Sequence, residues 1–171
     1  ATALAGVVIN DIGPEIDPKG VARISGYAGK SPEAMTLEQA GEHTRQLFGP
    51  AFPDYDQAQW QAEAQRGLRL RDDGLLVQDY DPAIARNAAD QGDNPMGFWP
   101  YFNSLAHIPT LAIRGELSDI LSTETFAAMA AAKPDLLQII CPNRGHAPDL
   151  SEPECLTAID SFLKAHGDAV H

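Results

Sequence analysis

The chain has 171 residues, with 24 acidic against 12 basic side chains and a formal net charge of −12. This length suits one domain, or one core with a smaller subdomain, and the hydrophobic content of 44% indicates a folded globular protein. Because the negative charge repels phosphates and anionic headgroups, neither nucleic acid nor a membrane surface is an expected partner.

The first predicted element is a strand over residues 4–9, which read Leu-Ala-Gly-Val-Val-Ile. Two similar apolar runs follow, at residues 108–113 and 136–141. Continuous apolar runs are typical of strands buried on both faces, as in a parallel sheet covered by helices. The sequence therefore predicts an α/β fold with a small sheet of three parallel strands.

About 90 residues separate the first two strands, which is far too long for a plain loop. They are richer in Gln, Asp, Arg, Pro and Gly than the rest of the chain. We interpret residues 16–103 as an inserted, mainly helical cap, and residues 1–15 together with 104–171 as the core.

Several elements are predicted inside this insertion. The pattern Thr36-x-x-Gln39 is a capping box, which predicts a helix that runs toward Phe48. Further helices are predicted over residues 56–66 and 82–89. A hairpin is predicted around the turn dipeptide at residues 73–74.

The core continues with two further helices. Ser122 predicts the N-cap of a helix that runs through Ala132 and leads to the third strand by a right-handed crossover. The pattern Ser151-x-x-Glu154 predicts a second capping box at the start of the last helix, which is expected to end at Gly167.

Asp119 and His146 are the candidate catalytic residues. Each lies shortly after a predicted strand, the acid after the second and the histidine after the third. Loops at the carboxyl ends of parallel strands line the crevice in which open α/β sheets bind ligands. A carboxylate that bonds one imidazole nitrogen leaves the other nitrogen free to accept a proton.

With these residues the chain resembles the α/β hydrolases, and in particular the members that carry a cap. Residues 7–15 (Val-Val-Ile-Asn-Asp-Ile-Gly-Pro-Glu) are similar to the sixth strand and its exit loop, and residues 71–85 to the end of the cap. Residues 109–122 resemble the seventh strand with the acid loop, and 141–153 the eighth strand with the histidine loop. The resemblance implies hydrolysis of an ester or a related acyl or carbon-carbon substrate.

The resemblance also implies that Asp119 orients His146, which serves a serine on a Gly-x-Ser-x-Gly turn. None of the serines at 25, 31, 104, 118, 122, 151 and 161 has glycine at both required positions. We therefore expect that the chain begins just before the sixth strand, that the serine and the oxyanion hole lie in a preceding segment, and that the chain alone is inactive.

Two alternatives concern neighbouring acids. Asp11, after the first strand, is expected to tether the following Gly13-Pro14 turn, although an acid at this position could also approach the histidine. An oxygen-rich metal site formed by His146, Asp149 and the acids at 152 and 154 is disfavoured, because the start of a helix explains such acids. No metal or cofactor is expected.

Two other sequence patterns in the insertion could indicate a binding site. Gly29-Lys30-Ser31 is not a phosphate loop, since Ile24 stands where the motif needs glycine. Trp99, with Phe98 and Trp60, could wall an apolar substrate pocket or could simply hold the cap to the sheet.

The remaining expectations concern location and partners. No apolar run approaches the roughly 20 residues that span a bilayer, and no signal peptide is evident, so a cytoplasmic location is expected. Cys141 and Cys155 are expected to be reduced, packed thiols. The alternative to catalysis is a module that self-associates or docks to a complementary N-terminal chain through the edge of its first strand.

Overall fold

The computed structural model describes residues 4–30, 32–83 and 97–167. The chain divides into two compact units. Ala1–Val21 and Asn94–His171 form the first, called here the sheet unit, and Ala22–Asp93 forms the second, called here the helical unit.

The sheet unit is built on three parallel strands. They are β1 (Val7–Asn10), β4 (Thr110–Gly115) and β5 (Leu137–Cys141), and their order in the sheet is β1-β4-β5. The prediction of three parallel strands is confirmed. The central strand β4 is buried along its whole length, as a strand covered by helices on both faces should be.

Alternate side chains of β4 serve two cores, because successive residues of a strand point to opposite faces. Ala112 packs in a cluster with Leu121 and Met129, next to helix α5 (Thr123–Ala132). Leu111 and Ile113 pack in a second cluster, whose other members are Cys141, Cys155 and Phe162. The sheet is therefore covered on one face by α5 and on the other by α6 (Pro153–His166).

The start of α6 differs from the prediction. Its N-cap is Glu152, which makes no side-chain capping bond, and Pro153 occupies the first turn. Ser151 donates its hydroxyl to Asp149 instead of capping the helix. The predicted capping box is therefore wrong, although Gly167 ends the helix as expected.

The helical unit contains α2 (Leu37–Phe48), α3 (Gln57–Gly67) and an antiparallel hairpin of β2 (Leu68–Leu70) and β3 (Leu76–Gln78). Thr36 and Gln39 form the predicted capping box at the start of α2, and Asp56 and Gln59 form another at the start of α3. The small apolar core of this unit consists of Ala40, Ala64 and Leu76. A 3-10 turn, Gly49–Ala51, follows α2.

Two short helices were not predicted: α1 (Pro18–Ser25) and α4 (Trp99–Asn103). The helix predicted over residues 82–89 falls almost entirely on residues 84–96, outside the described part of the chain. Among the described residues, none of the helices has the length and hydrophobicity needed to cross a membrane.

Candidate active site

Asp11 follows β1 directly and lies at the carboxyl edge of the sheet. Its side chain is fully buried, and its backbone has a φ of 52°, a left-handed conformation that Asp tolerates better than most residues. Its Oδ1 atom accepts a hydrogen bond of 2.7 Å from the amide of Gly115, and its Oδ2 atom accepts one of 2.7 Å from the hydroxyl of Ser118. Asp11 thus bonds the end of β4 and the loop after it, in place of the local turn contact that was expected.

His146 completes this arrangement. Its Nδ1 atom lies 2.9 Å from Asp11 Oδ2 and 3.0 Å from the backbone oxygen of Asp11. Both partners are acceptors, so Nδ1 carries a proton, and in the neutral imidazole Nε2 keeps its lone pair. The imidazole is 26% exposed, whereas the carboxylate is fully buried. This is the tautomer that a general base needs, and it is held by a carboxylate shielded from water.

Ser118 supports the carboxylate. Its hydroxyl oxygen accepts bonds from the amides of Ile120 and Leu121, at 3.2 and 3.0 Å, while its proton goes to Asp11. Through these three hydrogen bonds, Ser118 orders the loop after β4. Its role was not predicted, because Ser118 stands in no recognisable motif and its partner is more than 100 residues away in sequence.

The loop that carries His146, residues 142–152, is called here the histidine loop. It is fastened to β1 and to the loop that follows β4. The amide of Leu117 donates to the oxygen of Arg144 at 2.8 Å, and the side chain of Asn10 donates to the oxygen of Pro148 at 2.8 Å. These bonds fix the position of His146 without involving the imidazole.

The loop also approaches the end of β4 closely. A methyl group placed on Gly115 would collide with the backbone oxygens of Arg144 and Gly145. Glycine is therefore required at the end of this strand for packing, since it lets two backbone segments come together. The same contact brings the histidine loop to Asp11, because Gly115 also bonds the carboxylate.

A buried ion pair closes the far side of the loop. Arg144 Nε lies 2.9 Å from Glu152 Oε1, and their side chains are only 13% and 7% exposed. Arg144 further donates to the backbone oxygen of Asn143 at 2.7 Å. This ion pair fixes the geometry of the histidine loop, because its hydrogen bond is directional and because breaking it would leave a charge buried without a partner.

Asp119, the acid predicted from the resemblance, lies four residues after β4 and is half-buried. A side chain on Gly20 would collide with the backbone oxygen of Asp119, so this loop is packed closely. In the described structure the carboxylate bonded to His146 Nδ1 is that of Asp11. The catalytic role of Asp119 stays a prediction.

The aromatic residues predicted for a pocket have different surroundings. Trp99 packs against the first core cluster and donates its indole NH to Glu15 at 2.6 Å. Phe98, beside it, is 36% exposed. Trp60 belongs to the helical unit, where it is buried against Phe52 and Tyr55. Their role in a substrate pocket stays a prediction.

The helical unit contains a cavity of about 570 Å³. Its walls include apolar side chains of α2, such as Leu47 and Phe48, with His43 and Tyr80 among the polar groups. This volume falls in the range of small-molecule sites. Nothing in the sequence indicated it.

Comparison with known proteins identifies the fold. An α/β hydrolase from Novosphingobium aromaticivorans matches 94% of this chain with a TM-score of 0.86 and 39% sequence identity, and the match covers 57% of that protein. E-2-(acetamidomethylene)succinate hydrolase matches 94% of the chain with a TM-score of 0.75 at 21% identity, over 58% of its own length, and so shows the fold alone.

A curated relative agrees with the structures. The 3-hydroxybutyrate-oligomer hydrolase of Cupriavidus necator is 27% identical over 92% of this chain and 56% of its own length. No protein-family model matches the chain. The chain has the α/β-hydrolase fold and is similar in sequence to hydrolases of that fold. It spans a little over half the length of the relatives it matches.

Proposed function

We propose that the chain supplies the acid and base of a hydrolase active site, with His146 as the general base. The observation that carries this proposal is the hydrogen bond between His146 Nδ1 and the buried carboxylate of Asp11, at 2.9 Å. It lies at the carboxyl edge of a parallel sheet, which is where this fold holds its catalytic groups. The likeness to α/β hydrolases supports the same conclusion.

The proposed chemistry follows from the tautomer of His146 in which Nδ1 carries the proton. Nε2 of His146 removes the proton of an attacking hydroxyl, and the imidazolium that forms is stabilised by the carboxylate on Nδ1. His146 then returns the proton to the leaving group. The bonds that Asp11 accepts from Gly115 and Ser118 keep its carboxyl group oriented.

The nucleophile is proposed to be a serine outside this sequence. None of the seven serines of the chain has the Gly-x-Ser-x-Gly pattern, and Ser118 already donates its proton to Asp11. In this fold the nucleophile and the oxyanion hole come from strands that precede the acid and the histidine. We accordingly propose that the 171-residue chain is inactive until that segment is supplied.

Asp119 is the alternative partner of His146. The resemblance favours it, because Asp119 follows the strand after which this family often places its acid. Asparagine variants distinguish the roles of the two carboxylates, since an amide keeps the shape of the side chain but removes its charge. If Asp11 is the partner, Asp11→Asn lowers kcat in the complete enzyme by roughly 10³-fold to 10⁴-fold, as loss of such a carboxylate does elsewhere. Asp119→Asn then has a much smaller effect.

If Asp119→Asn lowers kcat more than Asp11→Asn does, the catalytic acid is Asp119, and Asp11 only supports the loop.

A protein NMR spectrum reports the contact between His146 and its carboxylate partner, independently of turnover. The Nδ1 proton of His146 should give a strongly downfield resonance that is lost in the Asp11→Asn variant and retained in Asp119→Asn.

The proposed substrates are esters or related acyl compounds. The curated relative from Cupriavidus necator is named for hydrolysis of 3-hydroxybutyrate oligomers, and hydroxy-acid oligomers are joined by ester bonds. A p-nitrophenyl ester and a 3-hydroxybutyrate dimer are therefore suitable first substrates. His146→Ala in the complete enzyme should abolish hydrolysis of both. Hydrolysis by the 171-residue chain that His146→Ala leaves unchanged would overturn the assignment.

A second candidate function is a docking module without catalysis. β1 is an edge strand of the described sheet, bonded to β4 on one side, and Val8 in that strand is 36% exposed. An exposed strand edge pairs readily with another chain, either a complementary segment or a second copy. Sedimentation would show self-association or a complex if this is so. A stable monomer that binds no N-terminal segment would exclude it.

A further inference from the structure

Three side chains with metal-binding atoms meet behind the histidine loop. Cys141 is the last residue of β5, Glu152 is the N-cap of α6, and Cys155 lies in the first turn of that helix. One donor atom from each lies within 4.8 Å of the other two. Both cysteines are fully buried and Glu152 is only 7% exposed, so the cluster is closed to bulk water.

Among the described residues, only one of the two oxygens of the Glu152 carboxylate has hydrogen-bond partners. Its Oε1 atom accepts bonds from Arg144 Nε at 2.9 Å and from the amide of Asp149 at 3.3 Å. Within the described residues, its Oε2 atom is buried without a hydrogen-bond partner. A buried carboxylate oxygen in this state is unfavourable, and such an atom calls for an explanation. One oxygen of this carboxylate lies within 4.8 Å of the sulfurs of both Cys141 and Cys155.

We propose that Cys141, Cys155 and Glu152 form a binding site for a thiophilic divalent cation such as Zn²⁺. Two thiolates and one carboxylate are ordinary zinc ligands. Bonds of about 2.3 Å to sulfur and about 2.0 Å to oxygen place tetrahedral ligand atoms roughly 3.5–3.8 Å apart. The cluster spans at most 4.8 Å between donor atoms, so small side-chain shifts are enough.

The charges of the filled site balance. An ordinary cysteine thiol is neutral at neutral pH. A coordinated thiol loses its proton. Two thiolates and one carboxylate carry three negative charges, which the cation and Arg144 together neutralise. Binding should therefore release two protons.

A cation bound at this site would also affect the loop that carries His146. Its ligands stand at the two ends of the histidine loop, with His146 between them. A cation would join the end of β5 to the start of α6 and restrain that loop. This inference does not depend on the proposed hydrolase function, because binding is measured on the chain itself.

The experiment is a titration of the 171-residue chain with Cd²⁺, whose thiolate complexes absorb in the near ultraviolet, and with Zn²⁺ in competition. One equivalent should produce the absorption, and a weakly buffered solution should show release of close to two protons. The double variant that combines Cys141→Ser with Cys155→Ser should abolish the absorption. Glu152→Gln should weaken binding at least tenfold, whereas Glu154→Gln, on the exposed side of the same helix, should not.

Alkylation tests the site in the native chain, without a substitution that could prevent folding. Cd²⁺ should protect both cysteines from iodoacetamide under mildly denaturing conditions, as mass spectrometry would detect. Lack of protection, lack of the thiolate absorption, or absorption that survives in the double cysteine variant would each overturn the proposal.

Discussion

His146 Nδ1 and Asp11 Oδ2 lie 2.9 Å apart, although the two residues are separated by 135 positions in the chain. The contact forms because β1 and β5 flank β4, so that the ends of all three parallel strands reach the same edge. It joins the first strand of the sheet to the loop that follows the last one. The position of the imidazole therefore depends on the packing of this edge.

Ser118→Ala tests the support beneath this contact. The substitution removes one donor to Asp11 and the acceptor for the amides of Ile120 and Leu121. Buried groups left without partners destabilise a fold by about 1–3 kcal/mol, so unfolding by urea should show a loss of about 2 kcal/mol. Ser161→Ala is the control, since its hydroxyl is on an exposed helix face. Equal effects of the two substitutions would contradict the supporting role.

Gly115→Ala tests the close approach of β4 and the histidine loop. The added methyl group would meet the backbone oxygens of Arg144 and Gly145, which no side-chain rotation can relieve. Overpacking of this kind destabilises by about 1–3 kcal/mol. Gly67→Ala is matched to it, because a methyl group there has open space. The melting temperature should fall clearly in the first variant and stay level or rise slightly in the second.

The elements that could be predicted are those with local signals. The capping box of Thr36 and Gln39 and the cap of Ser122 lie next to the helices they begin, and the apolar runs mark the three strands. Ser151 shows the limit of such signals, because its hydroxyl bonds Asp149 and Pro153 begins the helix without a side-chain cap.

The candidate site was predicted only in part, for a related reason. His146 could be selected because it follows an apolar strand. Its observed partner, Asp11, depends on strand order and register, and the sequence offered two acids at strand ends with no means of ranking them by distance. The contribution of Ser118 depends on the same tertiary contact and could not be predicted at all.

Arg144→Met tests the ion pair of the histidine loop. Glu152 would remain buried with its charge uncompensated, and loss of one partner of a buried pair destabilises by about 3–5 kcal/mol. The pair Arg45 and Glu42 is the control, since both side chains are about half exposed. Arg45→Met should change the urea midpoint little, as for most exposed ion pairs. A small effect of both substitutions would show that Arg144 contributes mainly through its backbone.

The buried thiols predict a dependence of stability on alkaline pH. Burial raises the pKa of Cys155 above its ordinary value of 9.0 in the folded chain, while the unfolded chain keeps an ordinary thiol. The stabilisation is therefore complete below about pH 9 and is lost as the pH rises through the range in which only the unfolded chain ionises.

One such thiol lowers the free energy of unfolding by up to about 1.4 kcal/mol per pH unit in that range. Urea unfolding without metal ions, at about pH 8 and about pH 10, measures the loss. Cys155→Ala begins less stable because it leaves a cavity, but its stability should decrease less between the two conditions, since one ionising group is gone. Lysines and tyrosines that ionise in the same range contribute equally to both proteins, so the difference between the two slopes reports the removal of Cys155 together with its contact to Cys141. Parallel slopes would mean that Cys155 ionises as readily in the folded chain as in the unfolded one.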